Sequence, residues 1–370
     1  MKNHETISRM EIYRADLPLV EPFRTSLAEI DMAHNIFVRI HSTGGLYGTG
    51  EARPNPVVTG ETQDITFDAA ATLARTIAGA PVHALDEISS MMERRLKKNS
   101  SAKSAIDIAL YDLLGKQTGL PLYALLGGMR RPISTDNTVS IDDPETMAQK
   151  ALRIKEMGFR AIKVKLGGAK DADVERIRRI RQAVGYEIEL RLDANQGWDY
   201  KTAVAVLRDL EPYRIRYCEQ PVAYWDTAHM GELRAASSIP IMADEALFSP
   251  HEAYRLAADG SCDYFNIKLS KAGGITGGLK ITTIGEAAGI PCMIGCMTET
   301  RLAMSAGAHL MTARPNILFA DLDGHTSMKS DPVLGGVQYN GGEMELPEAP
   351  GLGAEIDPAF LSECEVQVIE

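Results

Sequence analysis

The sequence is poor in cysteine and has no long apolar run, and both absences exclude classes of protein. Only five of the 370 residues are cysteine, at positions 218, 262, 292, 296 and 364. They are too few and too scattered for the disulfide framework of a small secreted domain. No stretch reaches the roughly 20 apolar residues of a membrane-spanning helix. The N-terminal segment is polar and lacks the apolar core of a signal peptide, so we expect a cytoplasmic protein without a membrane partner.

Positive charge is also scarce. The chain has 39 lysines and arginines against 50 aspartates and glutamates, a net charge of -11, which argues against a nucleic-acid partner. None of the eight histidines has the spacing of a metal site or a catalytic triad, and no Gly-x-Gly-x-x-Gly begins a helix. Hydrophobic residues make up 45% of the chain. This length and composition predict a large core and more than one domain.

Residues 1–128 are predicted to form an α+β domain. Two short segments alternate apolar and polar residues, and a third can pair back after the Gly44-Gly45 turn, which predicts a small antiparallel meander. Residues 61–128 have a helical pattern instead. Between the first two strands, the segment Val20–His34 is too irregular for an element, and long connections of this kind are often lids or binding loops. The three segments predicted as strands are residues 7–13, 36–40 and 46–51.

Residues 129–327 repeat a short apolar run followed by a helical stretch of about 10 to 15 residues. This alternation predicts parallel βαβ units, and eight runs favour a closed barrel over the alternative, an open doubly wound sheet. Residues 328–370 contain a hairpin signal around Asn340-Gly-Gly342, and we expect this segment to pack back on the first domain. The runs predicted as barrel strands are Ile133–Ser140, Ala161–Leu166, Ile188–Asp193, Arg216–Glu219, Pro240–Asp244, Tyr264–Leu269, Pro291–Cys296 and Ile317–Asp321.

Two lysines lie one residue apart in the second of these runs. Side chains alternate along a strand, so Lys163 and Lys165 must project from the same face. Two ammonium groups on one face of a buried parallel strand are costly unless carboxylates or a solvated cavity receive them. Taken alone, the pair is more simply explained by an edge strand with its lysine face in water.

Charged residues at the ends of the following runs favour the buried interpretation. Asp193, Glu219, Asp244 and Lys268 follow Lys163 at intervals of 24 to 30 residues, about one βα unit each. Each therefore lies near the C-terminal end of a strand, where barrel active sites are built. Three converging carboxylates without histidine or cysteine suit Mg²⁺, because zinc would prefer nitrogen or sulfur ligands.

Lysines on opposite sides of such a metal predict proton transfer. The neutral, basic form of a lysine is favoured when another cation and a metal ion lie close to it. Two such bases can remove a proton from one face of a carbon and return it to the other. The metal would stabilise the enolate of a carboxylate substrate. This is the chemistry of a racemase or epimerase.

The ordered set Lys163-Val-Lys165, Asp193-Ala-Asn195, Glu219-Gln-Pro221, Asp244-Glu245 and Lys268 resembles the enolase superfamily, specifically its muconate-lactonising subgroup. The resemblance covers essentially the whole chain. It implies an α/β fold, a modified (β/α)7β barrel with an α+β capping domain that the C-terminal segment completes, and often a homo-oligomer. The site residues that it implies are Asp193, Glu219 and Asp244 for Mg²⁺, Lys165 and Lys268 as the acid/base pair, and Lys163 for the substrate carboxylate.

Two acidic residues at the end of the last barrel strand indicate which function of the subgroup to expect. Asp321 and Asp323 are two residues apart and share a face, which suits an ammonium group. This Asp-x-Asp resembles the motif by which dipeptide epimerases hold the substrate's amino terminus, and Thr138 and Cys296 also match substrate-lining positions of that family. The resemblance therefore implies a dipeptide epimerase. The alternatives are a cycloisomerase, a β-elimination enzyme of the o-succinylbenzoate synthase type, an N-acylamino acid racemase and a catalytically silent binding module.

The sequence does not specify which side chain the epimerised residue of the substrate carries. In Ala-Glu epimerases an arginine of the first domain pairs with the glutamate of the substrate, and by resemblance Ala28 occupies that position here. Glutamate at the epimerised position is therefore not implied. The neighbouring residues leave room either for a cationic or polar side chain, through Glu29, Asp31 and His34, or for an apolar one, through Ile30 and Met32.

Overall fold

The computed structural model describes residues 5–370, which begin with an antiparallel sheet. Its first strands are β1 (Ile7–Arg24), β2 (Glu29–Ser42) and β3 (Tyr47–Ala52), which are neighbours in that order. The predicted segments 7–13 and 36–40 lie within β1 and β2, and segment 46–51 matches β3 except for Leu46, so the meander is confirmed. The strands form because one face of the sheet packs on helices, which accounts for the alternation of buried and exposed side chains.

The prediction that residues 20–34 form no regular element is wrong. β1 continues to Arg24 and β2 begins at Glu29, and a tight turn in which Thr25 N donates to Ala28 O (3.0 Å) joins them. We call residues 18–32 the ribbon. No residue from 20 to 32 is buried, and the pairing register shifts between Pro18 and Phe23. Both features remove the regular alternation by which a strand is recognised.

Four helices follow, as the helical pattern predicts, and two of them, α1 (Gln63–Ile77) and α3 (Ser100–Thr118), pack against the sheet. Helix α3 lies directly on β3, because a Cβ atom at Gly48 or Gly50 would approach the carbonyl oxygen of Ala109 or Ala105 to 2.1 or 2.0 Å. Side chains at either glycine would therefore separate the helix from the strand. The helices are α1 (Gln63–Ile77), α2 (Leu85–Arg95), α3 (Ser100–Thr118) and α4 (Leu122–Leu125).

Eight parallel strands then form a nearly closed barrel, which confirms the predicted fold class. Their order in the sheet follows the order in the chain. At the seam between the first and the last strand, Asp136 N donates to Ala320 O (3.3 Å). The strands are β5 (Asn137–Val139), β6 (Ala161–Lys165), β7 (Glu189–Asp193), β8 (Ile215–Glu219), β9 (Ile241–Ala243), β10 (Tyr264–Lys268), β11 (Cys292–Gly295) and β12 (Ile317–Asp321); the short β4 (Ile133–Ser134) precedes them.

The predicted strand Ile133–Ser140 is in fact two strands in different sheets. β4 pairs with the C-terminal strand β15 (Glu343–Glu345), whereas β5 belongs to the barrel. Thr135 and Asp136 separate them, because the Thr135 hydroxyl accepts from Leu322 N (2.8 Å) and the Asp136 carboxylate accepts from Arg191 (2.8 Å). The chain therefore bends within a run that the sequence pattern predicts as one strand, because residues distant in the chain bind Thr135 and Asp136.

Helices connect the barrel strands and cover the outside of the barrel. Several begin at good capping residues, such as Asp143, whose carboxylate accepts from Glu145 N and Thr146 N. No helix among residues 5–370 combines the length and the hydropathy required to cross a bilayer. The barrel helices are α5 (Pro144–Glu156), α6 (Lys170–Val184), α7 (Tyr200–Leu210), α8 (Thr227–Ala236), α9 (Pro250–Asp259), α10 (Leu269–Ala272), α11 (Ile275–Ala288) and α12 (Arg301–Ala313).

The C-terminal segment returns to the beginning of the chain. β14 and β15 form the predicted hairpin, and the last strand pairs antiparallel with β1, with Met10 opposite Ile369. The domain boundaries at residues 128 and 327 stay a prediction. The remaining elements are β13 (Val333–Gly335), β14 (Gln338–Asn340), β16 (Ala354–Ile356), α13 (Pro358–Glu363) and β17 (Val366–Ile369).

A buried histidine makes the stability of this fold dependent on pH. His309 in α12 is fully buried, accepts from Tyr123 N through Nδ1 (3.1 Å) and contacts Leu352 O through Nε2 (3.2 Å). Burial outweighs the Leu352 hydrogen bond and lowers its pKa from 6.5 to about 4. The unfolded chain therefore binds this proton more tightly, and the stabilisation present above pH 6.5 is lost as the pH falls towards 4, on the order of 3 kcal/mol.

We expect the replacement His309→Gln to remove that part of the pH dependence. The measurement is the free energy of unfolding by urea at pH 7 and pH 4.5 for both proteins. Other groups titrate in both proteins and cancel in the comparison. Equal losses in the wild type and the variant would contradict the assignment.

Candidate active site

Both lysines of strand β6 point into the barrel. Every residue of this strand is buried, and the alternation of side chains places Lys163 and Lys165 on the inner face. The Lys165 ammonium lies 2.6 Å from Asp193 Oδ2, and the Lys163 ammonium lies 2.8 Å from Glu219 Oε2 and 2.7 Å from Asp321 Oδ2. The edge-strand interpretation is therefore wrong, since carboxylates receive both cations inside the barrel.

Three of these carboxylates form a buried cluster at the C-terminal ends of successive strands. Asp193 ends β7, Glu219 ends β8 and Asp244 follows β9. Each is fully buried, and one carboxylate oxygen from each lies within 4.8 Å of the others. Converging carboxylates in a dry site repel one another unless a cation lies between them. An all-oxygen set of this size fits Mg²⁺, which completes its octahedron with water or substrate oxygens.

The electrostatics of the cluster follow from burial and from the neighbouring charges. Burial, together with the charges of Asp193 and Asp244, holds the pKa of the Glu219 carboxyl well above its usual range. For Asp193, burial is outweighed by Lys165 and Lys163, and its pKa lies below the usual value. Burial thus disfavours ionisation of all three carboxyl groups together unless positive charge lies close to them.

Lys268 reaches the same cluster from the other side of the barrel. It ends β10, and three strands separate β10 from β6 in an eight-stranded sheet. Its ammonium lies 2.8 Å from Asp244 Oδ2. Burial alone would lower the pKa of Lys268, but Asp244 and Glu219 outweigh burial and raise it. Lys165 and Lys268 therefore approach the carboxylate cluster from opposite sides.

The remaining predicted residues come together at the end of β12. Asp323 Oδ2 accepts from Thr138 N (2.6 Å), and Cys296 Sγ lies 3.9 Å from Asp323 Oδ1. Ligand atoms of Cys296, Asp321 and Asp323 lie within 4.8 Å of one another. Lys163 balances Asp321, whereas burial and Asp321 raise the pKa of Asp323. This acidic pair can receive a cationic group at the rim of the same cavity.

Sequence reasoning missed Asn266 and Lys271, which support the cluster, and it quoted Asn195 and Glu245 in motifs without giving them a role. Asn266 donates to Glu219 Oε1 (2.7 Å), Asn195 donates to Glu245 Oε1 (3.1 Å), and the Lys271 ammonium pairs with Asp244. A signal for Asn266 was available, because it lies two residues before Lys268 on one strand and so shares its inward face. Asp136, which pairs with Arg191 beneath Asp321, gave no such signal.

The ribbon covers the mouth of the barrel and encloses a cavity above the lysines. At its tip, the Ser26 hydroxyl lies 2.9 Å from Ala194 O and 2.7 Å from Asn195 O, next to the Asp193 loop. The empty volume of the cavity is about 660 Å³, including the part open to solvent. Lys165, Lys268, Asp321 and Asp323 all line it.

Comparison with protein families gives two matches that together span most of the chain. The family described as mandelate racemase / muconate lactonizing enzyme, N-terminal domain, matches residues 9–127. The family described as enolase C-terminal domain-like matches residues 146–360. The second match includes all three cluster carboxylates and both opposed lysines.

Individual relatives are similar over nearly their full length. A D-Ala-D/L-Ala epimerase of Cytophaga hutchinsonii is 44% identical over 96% of this chain and 97% of its own. An L-Ala-D/L-Glu epimerase of Bacillus subtilis is 41% identical over 94% of this chain and 96% of its own. The crystal structure of a dipeptide epimerase from Cytophaga hutchinsonii, complexed with Mg and the dipeptide D-Ala-L-Val, has a TM-score of 0.97 at 43% identity and covers 99% of this chain and 100% of that one.

Proposed function

The chain belongs to the mandelate racemase and muconate lactonizing enzyme family of the enolase superfamily, and we propose that it is a magnesium-dependent dipeptide epimerase with Lys165 and Lys268 as its two bases. One observation carries the proposal. Two buried lysines approach three buried carboxylates from opposite sides, at 2.6 Å from Asp193 and 2.8 Å from Asp244. A site that only binds a ligand has no need of two opposed bases.

Asp193, Glu219 and Asp244 would hold Mg²⁺. Bound there, the ion would supply the positive charge that offsets the carboxylates and stabilises the substrate's carboxylate group as an enolate. Around it, Lys271 and Asn266 orient Asp244 and Glu219 through the contacts described above. Lys163 would pair with the carboxylate of the substrate, close to the cluster that it already contacts.

The lysines would move the proton. Nζ of one neutral lysine takes the proton from the α-carbon of the C-terminal residue, and the electron pair stays on the substrate. The ammonium group of the opposite lysine then gives a proton to the other face of the same carbon. The configuration inverts, and the two lysines have exchanged their protonation states. Each lysine faces one side of the α-carbon. Lys165 and Lys268 are therefore the bases for opposite diastereomers.

The acidic pair at the end of β12 would select a dipeptide. Asp321 and Asp323 lie on the cavity wall, and a free α-ammonium group there would be held by charge-assisted hydrogen bonds. Thr138 N orients Asp323, and Cys296 packs beside it. We further expect a cytoplasmic homo-oligomer that requires no nucleic acid or membrane.

The test is hydrogen exchange at the α-carbon. In D₂O with Mg²⁺, the protein should incorporate one deuterium at the α-carbon of the C-terminal residue of an L,L-dipeptide and produce the L,D form. Mass spectrometry and ¹H NMR measure both. The matched control is the same dipeptide with its amino group acetylated, which removes the cation that Asp321 and Asp323 would bind. No exchange across a broad library of dipeptides would overturn the proposal.

A further inference from the structure

The part of the cavity wall that the first domain supplies carries no charge. Eight residues of this domain line the cavity, and two of them, Thr25 and Asn55, are polar. Both are engaged in turns, because Thr25 Oγ1 accepts from Leu27 N (3.2 Å) and Asn55 Oδ1 accepts from Val57 N (3.1 Å). The other six, which we call the apolar wall, are Phe23, Leu27, Ala28, Ile30, Val57 and Val58.

The strand register of the ribbon decides which side chains face the cavity. Phe23 pairs with Ile30, and both line the cavity. The next pair, Arg24 and Glu29, points the other way, as alternation requires. These two form an ion pair of 2.8 Å with side chains 44% and 55% exposed, so they are directed to solvent. Neither residue lines the cavity, and neither do the other two charged residues of the ribbon, Glu21 and Asp31.

The other polar candidates near the ribbon are also directed away from the cavity. His34 pairs with Asp16 (2.7 Å), and both side chains are more than half exposed. The charged residues that do line the cavity are Lys165, Lys268, Asp321 and Asp323, all from the barrel. In the proposed function, Asp321 and Asp323 bind the ammonium group of the dipeptide, and the two lysines act on its reacting carbon. The side chain on that carbon then has the apolar wall as its surroundings.

We infer that the epimerised residue of the substrate carries an uncharged, apolar side chain, which the apolar wall receives. This inference rests on the proposed function. A carboxylate or ammonium group in the same place would lose water and find no partner. Overall sequence identity does not distinguish an apolar from a charged substrate side chain. The D-Ala-D/L-Ala epimerase and the L-Ala-D/L-Glu epimerase are 44% and 41% identical to this chain.

The experiment compares three dipeptides, L-Ala-L-Met, L-Ala-L-Glu and L-Ala-L-Lys, with Mg²⁺ at one pH. Their C-terminal side chains are similar in length and differ in charge. Affinity is measured by calorimetry, and epimerisation by deuterium incorporation. We expect kcat/KM for L-Ala-L-Met to exceed both others by on the order of 100-fold, with affinities in the same order. Equal or better binding of the glutamate or lysine dipeptide would overturn the inference, as would failure of all three to bind.

The two readouts separate this inference from the proposed function. If the methionine dipeptide binds best and none of the three exchanges its α-proton, the inference holds and the epimerase function is overturned. If all three exchange and the charged dipeptides are preferred, the function holds and the inference is overturned.

Two variants test the wall itself. Ala28→Arg adds a cation to the wall, so the ratio of kcat/KM for L-Ala-L-Glu over L-Ala-L-Met should rise at least about 10-fold. The matched control is Arg24→Gln combined with Glu29→Gln in the adjacent, outward-facing pair, which should leave the ranking unchanged. A change of ranking in the control alone would contradict the assignment of faces. Should Ala28→Arg not fold, the ranking in the wild type still decides.

Discussion

Lys165→Ala and Lys268→Ala are each expected to lower the rate of epimerisation by about 10²–10⁴-fold, the contribution that a positioned general acid or base typically makes. Inversion needs a base on one face of the carbon and an acid on the other, so losing either lysine stops the full reaction. Exchange needs only one lysine. Each variant should therefore still exchange the α-proton of one diastereomer, and the two variants should retain opposite diastereomers.

The measurement is deuterium incorporation into the L,L and L,D dipeptides separately, beside the rate of inversion. Lys170→Ala is the control, since Lys170 is a partly exposed barrel lysine that pairs with Asp209 (2.6 Å) away from the cavity. It should have wild-type rates. Full epimerisation by either Lys165→Ala or Lys268→Ala would show that the two-base assignment is wrong. Retention of the same diastereomer by both variants would show that the lysines do not face opposite sides of the carbon.

Glu219→Gln is expected to weaken Mg²⁺ binding by at least about 100-fold and to abolish detectable epimerisation. Glu219 lies between Asp193 and Asp244 in the strand order, and the substitution replaces one of its carboxylate oxygens by an amide nitrogen at nearly constant volume. Calorimetry with Mg²⁺ measures the affinity without reference to activity. A second readout is the rise in melting temperature on adding Mg²⁺, because an ion that binds only the folded state stabilises it.

Glu286→Gln on the exposed face of α11 makes the same chemical change outside the site. It should bind Mg²⁺ and epimerise as the wild type does. Unchanged Mg²⁺ affinity in Glu219→Gln would show that the carboxylate cluster is not the metal site. Loss of binding in both variants would point to a global effect of charge rather than to coordination.

The positions of the barrel charges could be predicted because they depend on two local periodicities. The length of a βα unit places one charged residue after another at the same edge of the sheet, and alternation along each strand directs it inward. Lys163, Asp193, Glu219, Asp244 and Lys268 all obey both rules. The structure accordingly brings them together within a few ångströms.

The predictions failed where partners distant in the chain decide the conformation. The ribbon has no buried residue from 20 to 32 and has a shifted register, so the sequence there lacks the alternation that identifies a strand. The apolar run of residues 133–140 divides because Thr135 binds Leu322, which follows the last barrel strand, and Asp136 binds Arg191 of β7. Local propensity contains no information about such partners.

The proposed chemistry of the site could be predicted from the sequence alone. Acidic and basic residues at the ends of successive strands predict a metal site, two opposed bases and an acidic pair, because these depend on residue identity and on a period that the backbone imposes. The residues around Ala28 left the substrate side chain open between cationic, polar and apolar. The tertiary structure supports the apolar alternative. The register of the ribbon turns Phe23 and Ile30 towards the lysines and Arg24 and Glu29 towards water, and register is set by pairing across a bulge rather than by composition.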